Sequence, residues 1–209
     1  MTAIYIRTVN ITDDENKPEG RWTLPEGIDV EKGIQRLTQY AKEHGYDDLV
    51  FFLDDAYDGS RAWYPAFALM NKVIMNTEDI SEIIVSDLHQ IAGGLNVLAM
   101  FNNLVHENNI KLMIAAYDME SGDVLDRYYD EWVVESVENS IANSSEEDFT
   151  PAEEAFELLK NKIKERKKLQ REDLKNAAEQ DARYTEDGYR VINAETAIWL
   201  LKTKQWIKR

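Results

Sequence analysis

Between Ala3 and Val9 the chain reads AIYIRTV, a short run dense in β-branched and apolar residues, which predicts a buried strand. A loop carrying Pro18, Gly20, Pro25 and Gly27 follows. IDVEKGIQRLTQYAKEHG then places apolar residues at helical spacing and stops at Gly45. DLVFFLDD predicts a buried strand ending in acids, and PAFALMNKVIM a helix opened by Pro65. SEIIVSD is a strand, LNVLAMFNNLVHENN a helix, IKLMIAAY a strand, and DVLDRYYDEWVVESVENSIANS a longer helix. Strands separated by helices predict an α/β fold, a largely parallel sheet with helices on both faces. Sites in such sheets gather at the C-terminal strand ends, which here hold Arg7, Asp54, Asp55 and Asp87.

After SSEEDF the pattern changes, so residues 1–148 read as one domain and 149–209 as a mainly helical tail. TPAEEAF is a helix start, with Thr150 as cap, Pro151 in the first turn and Glu153 completing a capping box. Phe156, Leu159 and Ile163 form an apolar seam that dissolves into the basic, mixed run KERKKLQREDLK, read as a solvated helix face. YTEDGYRVI predicts a small hairpin turning at Asp187-Gly188. A terminal helix follows, capped by Asn193, with Trp199 and Trp206 among its apolar residues. The pattern contains no internal repeat.

Composition narrows the function. The chain has 209 residues, 44% of them hydrophobic, which fits a globular protein. It has no cysteine, which excludes disulfides, thiolate metal sites and a cysteine nucleophile and fits a cytoplasmic protein. No apolar run spans a bilayer, and MTAIYIRTVN lacks the apolar core of a signal peptide. The net charge of −16 repels nucleic acid and anionic lipid unless a local basic patch intervenes.

Four stretches, in order, resemble the catalytic domain of serine recombinases, the resolvase/invertase family, and come nearest in pattern to its large transposon-borne members. YIRTV sits where the family has Tyr-x-Arg-Val-Ser. DDAYDGSRAWYPAF resembles Asp-x-Gly-Tyr-Ser-Gly followed by Arg-Pro-x-Phe. IIVSDLHQIAGG resembles a strand leading into Asp-Leu-Ser-Arg-Leu-x-Arg, and YDEWVVESVENSI the opening of the long interface helix. YRVINAETAIWLL is similar to the start of the second domain of large members, most of which is expected to be missing.

The resemblance implies a serine that attacks a DNA phosphodiester and arginines that clamp the phosphate. This sequence keeps Tyr5, Arg7, Asp54 and Asp87. The serine position holds Val9, and the arginine positions hold Tyr64, Gln90 and Gly93. Asp58 replaces the serine of Ser-Gly. Between Asp130 and Asp148 there are seven acids and no Lys or Arg, so the element that faces DNA in the family has reversed its charge.

The expectation is a serine-recombinase-like protein of a mobile element that has lost its chemistry and acts as an interaction or regulatory module. The alternative is a recombinase with weak or altered strand exchange. The retained surface would centre on Trp132, Val133 and Val137 and pair with a second copy or with an active serine recombinase. DNA binding by residues 1–148 is not expected, and no cofactor, metal or membrane is implied. Simpler readings stand beside these. Arg7, Asp54 and Asp87 also fit a structural ion pair at a strand edge, which is favoured. Asp54-Asp55 lacks a third metal ligand, His89 reads as a surface residue, and Gly93-Gly94 lacks the Lys and spacing of a phosphate loop.

Overall fold

The computed structural model describes residues 1–9, 30–57, 63–77, 79–91, 95–127, 134, 152–179 and 183–204. Its centre is a sheet of seven strands: β1 (Thr2–Val9), β2 (Leu49–Tyr57), β3 (Glu82–Val85), β4 (Lys111–Ile114), β5 (Met119–Glu120), β6 (Arg183–Tyr184) and β7 (Arg190–Asn193). The order across the sheet is β5-β4-β3-β1-β2-β7-β6. β1, β2, β3, β4 and β7 are parallel, and β5 and β6 are antiparallel edge strands. The α/β class and the mostly parallel sheet agree with the sequence pattern.

Helices α1 (Val30–Glu43), α2 (Pro65–Asn76), α3 (Leu95–Glu107), α4 (residues 121–127), α5 (Ala152–Asn176) and α6 (Ala194–Thr203) complete the fold. Successive residues of a strand face opposite sides, and β1 divides its side chains accordingly. Ala3 and Tyr5 join Val50, Phe52 and the apolar faces of α2, α3 and α6. Ile4 and Ile6 join Phe51, Leu53 and the face of α1 that carries Leu37 and Ala41.

The ends of the elements follow local chemistry. α1 closes in a Schellman turn: Tyr46 N–H donates to the Ala41 carbonyl at 2.9 Å and Gly45 N–H to the Lys42 carbonyl at 3.1 Å. Gly45 has φ of +78°, where a side chain would be strained. The hairpin turns at Asp187-Gly188 as expected, with Thr185 N–H donating to the Tyr189 carbonyl at 2.8 Å. Asn193 caps α6 through its side-chain oxygen, which accepts from Thr196 N–H at 3.0 Å.

Two features depart from the pattern. IKLMIAAY is strand only as far as Ile114; the chain then turns, and Met119–Glu120 pairs back on β4. The second arm of the hairpin is not confined to a tail. β7 lies parallel beside β2, with Val50 opposite Arg190 and Leu53 opposite Asn193. Ile192, Ala197 and Leu200 thereby enter the same core as Tyr5 and Phe52. The boundary at residue 148 and the caps Thr150 and Pro151 lie outside the described residues, as does Trp206.

Candidate functional site

The strand order 2-1-3-4 means that the chain leaves β1 toward one edge through β2 and then returns to place β3 on the other side. This is a topological switch point, and the C-terminal ends of β1 and β3 flank it. Arg7 lies near the end of β1, directly opposite Asp54 on β2. The β1–β3 register ends with Tyr5 opposite Val85, and Asp87 follows two residues beyond the end of β3. The pairing of β1 with β2 slips between Arg7 and Val9, which stands opposite Tyr57.

Asp54 is fully buried. Its carboxylate accepts from Tyr5 Oη at 3.0 Å, from Ala66 N–H at 2.9 Å and from Phe67 N–H at 3.0 Å. The sequence explains the last two. α2 opens with Pro65, which has no N–H, behind Tyr64, whose side chain makes no capping bond. The cap comes instead from a neighbouring strand. Tyr5, itself buried, also packs on Phe67 with ring centroids 5.2 Å apart.

Burial and bonding oppose each other at Asp54. Burial is the larger, and pushes the carboxyl up from 3.8 to about 6, while the two N–H bonds, the Tyr5 hydroxyl and the Arg7 charge pull it down. The Tyr5 phenol is held well above its ordinary value by burial and by the Asp54 charge, so it serves as a donor. A raised carboxyl pKa means that the folded protein holds its proton more tightly than the unfolded chain. The stability this proton supplies is complete below about pH 3.8 and is lost as pH rises to about 6. Relative to Asp54→Asn, wild type is therefore expected to lose on the order of 3 kcal/mol between pH 4 and pH 7. Urea unfolding of both proteins at the two pH values measures this, and a difference that grows with pH would contradict it.

Arg7 is engaged on two sides. Its guanidinium carbon lies 4.9 Å from the centroid of the Tyr64 ring. Its backbone N–H donates to Gln90 Oε1 at 2.6 Å. Gln90 is buried in the 3₁₀ turn Leu88–Gln90, just where β3 has ended, and its side chain supplies the ladder bond that β3 no longer can. Gln90 N–H in turn donates to the Asp87 carbonyl at 3.1 Å.

Of the residues singled out in the sequence, Arg7, Asp54, Asp87, Tyr64 and Gln90 thus come to one edge of the sheet. Val9 is described only in its backbone; Asp58, Gly93, Trp132, Val133 and Val137 lie outside the described residues, as do the side chains of Asp55 and His89. Among the described residues no three His, Cys, Asp or Glu side chains group as metal ligands, and no helix is long and apolar enough to cross a membrane. The pattern did not reveal Asp54 as the cap of α2, although a helix starting with Tyr-Pro and no capping side chain leaves N–H groups to be satisfied from elsewhere. It also did not reveal Trp63, which is buried and donates from Nε1 to Asp173 of α5 at 2.9 Å.

No family model and no curated relative matches the chain. Solved structures similar to it include the N-terminal catalytic domain of TP901-1 integrase, at 17% identity over 68% of this chain and 95% of that one, with a TM-score of 0.45. Another is the C-terminal catalytic domain of ISC1926 TnpA, an IS607-like serine recombinase, at 16% identity over 70% and 90%, with a TM-score of 0.41. A third is a resolvase family site-specific recombinase from Streptococcus pneumoniae, at 16% identity over 68% and 97%, with a TM-score of 0.43.

Proposed function

We propose that this chain is a serine-recombinase-like protein of a mobile element that has given up DNA strand cleavage and acts in the cytoplasm as an interaction or regulatory module. The observation that carries the reading is the way the residues at the switch point are employed. A phosphoryl-transfer site needs a nucleophile and cations aimed at the phosphate. Here Asp54 is committed to the start of α2, Gln90 to the edge of β1, and Tyr64 lies against Arg7 where the resemblance places an arginine. Arg7 also stands beside a carboxylate, so its charge is offset before any phosphate arrives. Val9 in the serine position supplies no attacking oxygen.

What remains for such a protein is association, with a second copy or with an active serine recombinase, through the surface centred on Trp132, Val133 and Val137. The test of lost chemistry is direct. Incubation with nicked or suicide recombination substrates, followed by a denaturing gel, is expected to give no protein–DNA adduct. Val9→Ser is expected to give none either, because Tyr64, Gln90 and Gly93 still replace the clamps and groups that act as a unit are not restored singly. An adduct from wild type that survives denaturation would overturn the proposal.

A further inference from the structure

α5 divides into two halves with different surroundings. Its C-terminal half is fastened to the body. Asp173 receives the Trp63 bond at 2.9 Å, and Lys202 Nζ donates to the carbonyls of Lys175 at 3.1 Å and Ala177 at 2.7 Å. Its N-terminal half exposes apolar side chains: Phe156 is 58% accessible, Leu159 53% and Ile163 43%. At about 100° per residue these three fall within about 60° of arc, so they form one seam.

Charge is also divided along the helix. Residues 152–159 contain three Glu and no cation, whereas residues 160–175 contain eight Lys or Arg and three acids. Lys164, Lys167, Lys168, Arg171 and Lys175 share one face, roughly opposite Asp173 and therefore turned from the body. This lies in a chain whose net charge is −16.

We infer that α5 pairs antiparallel with α5 of a second copy, about a two-fold axis near Phe156 and Leu159. The seam selects the partner class. A nucleic-acid duplex would satisfy the cations but turns phosphates, not an apolar surface, toward Phe156, Leu159 and Ile163, whereas the same seam on another copy matches all three. The charge division selects the orientation. In a parallel pair the two basic halves lie side by side and repel. In the antiparallel pair the acidic start of each helix meets the region around Lys160 and Lys164 of the other. Within one chain Lys160 bonds Glu157 at 2.6 Å and covers the Phe156 ring at 4.7 Å, a local arrangement that pairing exchanges for intermolecular ones. This inference is independent of the lost chemistry, because its readout is association alone.

The chain has no cysteine, so single cysteines report the geometry without background. Leu159→Cys lies beside the axis and is expected to form a disulfide-linked dimer under mild oxidation. Lys175→Cys lies about 26 Å from the axis along the helix and is expected not to cross-link. Sedimentation at micromolar concentration is expected to show a wild-type dimer, with Leu159→Asp raising the dissociation constant at least about a hundredfold by burying two unpaired carboxylates. Leu159 is exposed, so an unchanged unfolding curve separates lost pairing from lost folding. A wild-type monomer, a dimer untouched by Leu159→Asp, or cross-linking at position 175 as efficient as at 159 would each overturn the inference.

Discussion

Asp54→Ala is expected to cost about 3 kcal/mol of folding stability at neutral pH. The substitution orphans three donors: Tyr5 Oη and the N–H groups of Ala66 and Phe67. Tyr5 and Ala66 are fully enclosed, and each buried donor left unpaired costs about 1–3 kcal/mol. Against this, the alanine removes a carboxylate whose ionisation is itself opposed by burial, which returns roughly half of the loss. The loss should therefore be larger at pH 5, where the carboxyl is mostly protonated, than at pH 7. Asp54→Asn keeps one acceptor and should cost about 1–2 kcal/mol. Urea denaturation measures all three proteins, and an alanine variant within about 1 kcal/mol of wild type at both pH values would show that the cap contributes little.

Trp63→Ala is expected to cost about 3–5 kcal/mol, the usual range for emptying a buried indole site. Trp63 is only 3% accessible, and its bond to Asp173 ties the residues just before α2 to α5. Trp63→Phe keeps most of the apolar volume but breaks the bond to Asp173, and should cost about 1–2 kcal/mol. The two variants also separate local from global effects. If the indole holds α5 in place, Trp63→Ala should expose the Lys- and Arg-rich stretch 160–175 to trypsin under conditions in which the sheet remains folded. Equal losses in the two variants would assign the contribution to the hydrogen bond rather than to packing.

The sequence made some features plain and left others out of sight, and the difference is physical. The strands β1 to β4 and the helices α1 to α3 were legible because each carries its own periodicity, and local stops such as Gly45, Pro65 and Asn193 act within a turn of where they stand. The cluster of Arg7, Asp54, Tyr64 and Gln90 was legible from motif order, since parallel strands bring their C-terminal ends to one edge. The uses of these residues were not. A carboxylate on β2 capping α2, or an amide from a 3₁₀ turn completing the ladder of β1, depends on ångström-scale tertiary placement and leaves no period in the sequence. The pairing of β7 with β2 escaped notice for a related reason. Arg190–Asn193 is four residues long, and nothing local selects β2 as its neighbour over any other open edge.

That placement of β7 has a bearing on how the protein is made. Synthesis runs from the N-terminal side, so β2 is made before β7, and its outer edge waits while the more than 130 residues between Tyr57 and Arg190 are added. β2 carries Leu49, Val50, Phe51, Phe52 and Leu53 in succession, and such an apolar strand with unsatisfied backbone groups readily recruits another chain. β7, the last in sequence of the described strands, is thus the one that closes this edge of the nascent sheet against its neighbours on a polysome. Ribosome-bound chains halted before residue 190 should depend on chaperones to a degree that the finished protein does not.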